Sequence, residues 1–150
     1  MESVLKRWVA VFVAAIALLA GGVTVALPAS AAVYTCNDRL SGTYVPINFN
    51  ASPDTACYLN ASNYTVAGTR ALQTSYNRCY ADSFGYTLPN GDKYLATDGI
   101  YGGQTADAVR IVQDHHNLGQ DGLYGPGTAA KFRSYVYDRP STPECVHWNP

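Results

Sequence analysis

Asp98-Gly99-Ile100-Tyr101-Gly102-Gly103-Gln104-Thr105-Ala106 returns 23 positions later as Asp121-Gly122-Leu123-Tyr124-Gly125-Pro126-Gly127-Thr128-Ala129. Six of the nine positions are identical, and a seventh exchanges Ile100 for Leu123. Each copy reads as a tight Asp-Gly turn, an apolar-aromatic pair and the start of a helix. Asp tolerates turn conformations and Gly reaches positive φ without a steric cost. Pro126, directly after Gly125, suits a first helical position, where no amide hydrogen is needed. By the repeat, Gly102 opens the preceding helix in the same way. Two identical helix entries, one helix apart, predict a small helical unit built by duplication.

Outward from the repeat, the second helix is expected from about Gly103 to His116. Thr105, Ala108, Val109 and Val112 recur at helical spacing and face the core. Asn117 follows as a left-handed terminator. A third helix is expected from Pro126 through Phe132 to about Tyr137. Upstream, Thr69 to Tyr80 reads as the first helix, with Leu72 and Tyr76 on one face. Between them, Pro89-Asn90-Gly91-Asp92 separates Tyr86-Thr87-Leu88 from Lys93-Tyr94-Leu95 and predicts a short hairpin. Residues 33–65 show no helical period and are expected to be extended or turn structure. The fold class is mostly α: a three-helix bundle with an extended N-terminal arm.

Asp98-Gly99-Ile100-Tyr101-Gly102, Thr105, Ala108-Val109, Gln113, Leu118, Asp121-Gly122, Tyr124-Gly125, Thr128 and Phe132 stand in an order and spacing that resemble the peptidoglycan-binding-like domain. Leu72-Gln73 and Tyr76-Asn77 resemble the first helix of that family. The likeness covers roughly residues 57–137, and the stretch between the first helix and the Asp-Gly turn is longer than the family's usual crossing. The resemblance implies a non-catalytic module that holds cell-wall glycopeptide, in a secreted, actinobacterial-type bacterial protein of one domain. It also implies that Asp98, Gly99, Gly102, Thr105, Gln113, Asp121, Gly122, Gly125 and Thr128 maintain the fold. Tyr101, Gln104 and Tyr124 are the candidate ligand contacts, in a shallow groove beside the turns. For the two tyrosines the competing role is core packing at the fixed aromatic position of the repeat.

Lys6 and Arg7 precede an apolar run from Trp8 to Leu27, and Ala29-Ser30-Ala31 supplies a small-residue cleavage site. Residues 1–31 therefore read as a secretory signal peptide, with an uncleaved anchor as the alternative. Expected next are an arm over 32–56, the binding domain over 57–138 and a tail over 139–150. Once the signal is removed, 8 basic residues face 10 acidic ones and no basic run appears, which argues against a nucleic-acid partner. Four cysteines in a secreted chain imply two disulfides. Topology favours Cys57–Cys79 with Cys36–Cys145; the rival is Cys36–Cys57 with Cys79–Cys145.

The inventory argues against an enzyme. A glycosidase needs two carboxylates, one held protonated, and the only glutamate beyond the signal is Glu144, in the tail. A zinc hydrolase needs three protein ligands and an open position. The histidines are His115, His116 and His147. Adjacent histidines on a helix point about 100° apart, so His115 and His116 do not readily chelate one metal and are expected instead as solvent-facing side chains at a helix C-terminus. No Gly-x-Ser-x-Gly elbow is present. These observations predict a secreted, disulfide-stapled peptidoglycan binder without cofactor or metal. The alternative is a secreted protein-interaction domain, an inhibitor or accessory subunit of a cell-wall hydrolase, that keeps the fold without the ligand.

Overall fold

The computed structural model describes residues 34–39, 41, 43–48, 50–51, 56–136 and 144–147. All of them lie in the compact unit Ala32–Pro150. The signal expected over 1–31, and residues 139–143 and 148–150 of the expected tail, lie outside the described residues. The arm forms two short pairs. β1 (Tyr34–Thr35) runs parallel to β4 (Cys57–Tyr58), and β2 (Asp38–Arg39) runs antiparallel to β3 (Pro46–Ile47).

α1 spans Val66–Tyr76, beginning three residues before the Thr69 start expected from periodicity. Thr65 caps it: its hydroxyl accepts from the Gly68 N–H at 3.1 Å and donates to the Cys36 carbonyl at 2.6 Å. The chain continues as a π-helical stretch, Asn77–Asp82, that buries Cys79, Tyr80 and Ala81. α2 spans Gly103–His115 and ends at Asn117, whose φ of 55° is the expected left-handed terminator. Leu59, Leu72, Tyr76, Tyr80, Val109, Val112, Tyr124 and Phe132 form the centre of the core.

Three expectations are corrected. The fold is mixed rather than mostly α, because α3 is a single turn, Pro126–Ala129, and does not run through Phe132 to Tyr137. Residues Arg133–Val136 form β5 instead, antiparallel to β6 (Glu144–His147). Distant side chains capture the backbone that a helix would have used. The Arg133 N–H donates to the Tyr80 hydroxyl at 2.8 Å, and the Tyr135 N–H to the Ser75 hydroxyl at 3.1 Å.

The predicted hairpin is a turn without strands. The Leu88 N–H reaches the Asp92 carbonyl at 2.7 Å, but Leu95 is held by the side-chain amide of Asn77, at 2.8 Å and 2.9 Å. Its backbone is therefore already partnered by a helix and does not complete a second strand.

The favoured disulfide pairing is also overturned. The bridges are Cys36–Cys57 and Cys79–Cys145. The parallel register Tyr34↔Cys57 brings Cys36 beside Cys57, and the register Tyr135↔Cys145 brings Cys145 over the π-helical stretch. Closing the second loop, with its sequence separation of 66, is worth about 4 kcal/mol in the chain-entropy account.

Tyrosine fills much of this core, with consequences in alkali. Burial, assisted by nearby Tyr86, pushes the Tyr76 phenol up to about 12. Burial also raises those of Tyr80, Tyr101 and Tyr124. A raised folded value means the stabilisation is whole below the usual 10.0 and is lost as pH climbs above it. Tyrosinate absorbance and far-UV circular dichroism should therefore change together in one steep transition above pH 10. A gradual titration with the helical signal intact would refute it.

Candidate functional site

The two turns are held by the same device. From α1, the buried Gln73 amide nitrogen donates to Asp98 Oδ1 at 2.9 Å, the Ile100 carbonyl at 3.1 Å and Thr105 Oγ1 at 3.2 Å. Its oxygen accepts from the Gly99 N–H at 2.9 Å. From α2, the Gln113 nitrogen donates to Asp121 Oδ1 at 2.6 Å, the Leu123 carbonyl at 3.1 Å and Thr128 Oγ1 at 3.1 Å. Its oxygen accepts from the Gly122 N–H at 2.9 Å. Each Thr hydroxyl donates back to the same carbonyl, Ile100 or Leu123, at 3.2 Å. The clamp thus explains why Asp, Gly and Thr recur at fixed spacing. Asp98 is held below the usual carboxylate range by the Ile100 N–H first and Gln73 second. Its stabilising contribution is lost as pH falls through that lowered value.

Gly99 and Gly122 sit at φ 80° and 71°, in the left-handed region. A Cβ on Gly99 would lie 2.7 Å from the Val66 carbonyl oxygen, whereas one on Gly122 would lie 2.9 Å from the Arg110 guanidinium carbon. The first obstacle is backbone and the second can swing away.

The tyrosines of the repeat join the units. The Tyr101 hydroxyl donates to the Gly122 carbonyl at 2.8 Å, so the first turn holds the second. Tyr124 exchanges backbone hydrogen bonds with Leu59, at 2.8 Å and 3.0 Å, so the second turn holds the arm. Tyr101 is 2% exposed and Tyr124 1%. Both rings are enclosed in the core and neither presents a face to a groove. Gln104 is exposed, at the start of α2.

Each turn also borders a shallow groove. The first, about 140 Å³, is lined by Gln73, Leu95, Ala96, Asp98, Ile100 and residues 102–105. The second, about 390 Å³, is lined by Gln113, Leu118, Gly119, Asp121, Leu123 and residues 125–128, with Tyr58 added from β4. Apart from Tyr58 and the two glutamines, the linings correspond position by position at the 23-residue offset, so the grooves are a duplicated pair.

The histidines depart from expectation. His115 and His116 are half-buried, not solvent-facing, because their rings pack among Tyr80, Phe84 and Tyr86. His115 Nδ1 is 2.9 Å from the Tyr86 hydroxyl and His116 Nε2 is 3.0 Å from that of Tyr80. Among the described residues no group of three His, Cys, Asp or Glu side chains could hold a metal ion.

Sequence reasoning placed Gln113 in the structural motif but missed that Gln73 is its twin. The glutamines precede their turns by 25 and 8 residues, so a fixed-offset comparison does not align them. The shared Arg-x-x-Gln of Arg70–Gln73 and Arg110–Gln113 was the available signal.

A duplicated, glutamine-clamped turn-helix unit with a groove beside each turn defines the class of module. Residues 82–132 match the family described as "Putative peptidoglycan binding domain", and the chain carries a domain of that family. Two proteins of Bacillus licheniformis share the region. One, a "Probable N-acetylmuramoyl-L-alanine amidase", is 47% identical over 51 residues, 34% of this chain and 14% of the relative. The other, "N-acetylmuramoyl-L-alanine amidase CwlL", is 35% identical over 69 residues, 46% of this chain and 18% of the relative. The chain thus spans less than a fifth of the length of either relative. No solved structure matches it significantly.

The clamp and its glycines make two predictions. Gly122→Ala should cost about 1–2 kcal/mol, the left-handed penalty of an L-residue, and Gly99→Ala more, because backbone must also move. Equal losses in thermal or chemical denaturation would contradict the difference. Gln113→Glu replaces a donor by a carboxylate facing Asp121 and should cost about 3 kcal/mol at neutral pH. That deficit should shrink on acidification, as the new carboxyl gains a proton to donate, and denaturant melts across pH would show it.

Proposed function

We propose that this is a secreted, non-catalytic protein that holds cell-wall peptidoglycan through a groove beside its duplicated turns. The observation that carries this reading is the coincidence of three features. The family match, the repeat and the paired grooves all fall within residues 82–132, with Gln73 and Tyr58 reaching in from outside. Exposed Ile100 and Leu123 on the groove rims give apolar surface to a ligand that combines peptide and sugar. The buried Tyr101 and Tyr124 serve binding indirectly, by fixing the turns.

The chemistry of this chain supports a role without catalysis. The amidase names belong to relatives whose matched region is a small share of their length. His115 and His116 are committed to tyrosine hydroxyls, and Glu144 lies on β6, away from the turns. A wall-holding module without catalytic groups fits beside a separate secreted hydrolase.

Co-sedimentation of the oxidised protein with purified peptidoglycan tests the reading. Retention should survive moderate salt, since the groove linings carry little charge, and should be competed by soluble muropeptides. A folded protein that remains in the supernatant would overturn it and favour a protein partner.

A further inference from the structure

The two grooves share an origin but not a state. At the position where the second copy has Gly127, the first has Gln104, and its amide nitrogen reaches Asp92 Oδ2 at 3.5 Å. Asp92 closes the 89–92 turn, in the stretch that lengthens the crossing from α1 to the first Asp-Gly turn. Gln104 lines the first groove, whose volume is about 140 Å³ against about 390 Å³ for the second. A Cβ on Gly127 would meet nothing within 4 Å, so the corresponding space of the second groove is empty. The second groove has also gained a wall. Tyr58 packs so closely that a Cβ on Gly125 would lie 2.8 Å from its ring.

The second lining has a definite chemistry. Tyr58, Leu118, Leu123 and Pro126 are its apolar and aromatic surfaces. Its only charged side chain is Asp121, and no cation lines it. The clamp and the Leu123 N–H occupy Asp121 Oδ1, at 2.6 Å and 2.8 Å. Nearby Arg110 is paired with Asp107 at 2.8 Å. A carboxylate with apolar walls favours a ligand with an amine beside small apolar groups and disfavours one that presents a carboxylate.

We propose that, of the two grooves beside the turns, the second is the open binding site and takes a stem-peptide segment bearing a free primary amine, while the Gln104–Asp92 contact plugs its twin. This rests on the peptidoglycan reading above. Gln104 is then a specificity-determining plug that leaves one of the two grooves open, not a ligand contact.

The experiment follows backbone amide shifts of the oxidised chain on titration with three probes. They are a stem tetrapeptide with a free lysine side-chain amine, the same peptide with that amine acetylated, and a peptide-free wall disaccharide. The free-amine peptide should move amides between Leu118 and Gly127 and leave Leu95 to Gln104 unmoved. Acetylation should weaken binding by about tenfold, and the disaccharide should leave the second groove unmoved.

Gly127→Gln should abolish peptide binding while melting no lower than the parent, since Gln is the better helix former and the space is free. Gln104→Ala, which also favours helix, should add a second set of shifts from Leu95 to Ala106. Equal binding of the acetylated peptide, shifts in the first groove of the parent chain, or binding retained by Gly127→Gln would each overturn the inference. If peptidoglycan then still retained the parent and Gly127→Gln equally, the wall-binding reading would stand without this site. If peptidoglycan did not retain the parent at all, both would fall.

Discussion

A buried carboxamide needs a full set of partners, and that requirement organises this fold. Gln73 and Gln113 are 1% and 2% exposed, and neither can turn to water for a hydrogen bond. Each supplies a donor and an acceptor on one rigid plane, which suits a turn that offers a carboxylate, a carbonyl and a free N–H within a few ångströms. A buried polar group left without its partner costs about 1–3 kcal/mol. The clamp therefore fixes the turn in one geometry, where an apolar core residue would only fill space. Helix α1 is tied to the first turn and α2 to the second. Tyr101 links the turns, and Tyr124 links the second to the arm.

The features readable from sequence were those where local chemistry and tertiary need agree. The Asp-Gly turns, the Gly102 entry to α2 and its end at Asn117 all follow from backbone preferences within a few residues. The end of α3 could not be read that way. Residues 130–136 carry no strong breaker, and what stops the helix is the capture of Arg133 and Tyr135 by side chains 53 and 60 positions upstream. The disulfide pairing failed for the same reason, since it follows from strands of two to four residues whose pairing is set by distant partners. At the site, Tyr101 and Tyr124 could be read either as groove contacts or as core, and burial places both in the core. The first glutamine was hidden by unequal spacing, because the lengthened crossing after α1 separates it from its turn.

Tyr80 shows why tyrosine suits so small a core. Its ring packs on Phe132 and Tyr76, with centroids 5.4 Å and 6.2 Å away. Its hydroxyl accepts the Arg133 N–H and also hydrogen-bonds His116 Nε2 at 3.0 Å. Phenylalanine would supply the packing but strand the Arg133 amide. Ser75 acts in the same way further up the helix, accepting from the Tyr135 N–H and donating to the Tyr44 carbonyl at 2.8 Å. Strand β5 is thus attached to α1 and its π-helical extension by two hydroxyls, and the Cys79–Cys145 bridge closes over the same junction.

The clamp residues also line the grooves: Gln73, Asp98 and Thr105 on one side, Gln113, Asp121 and Thr128 on the other. In the proposed binding mode fold and recognition share atoms, and one oxygen of Asp121 is already committed to the turn. Duplication offers a way out of that constraint. With two clamps holding two turns, the groove beside one can be filled without loosening either, because Gln104 and Gly127 lie outside the hydrogen-bonded set. The copies have diverged at that position and at the arm-derived wall, while Asp, Gly and Thr of the clamps are unchanged. Selectivity in such a module then has to reside in the side chains that the clamp does not use.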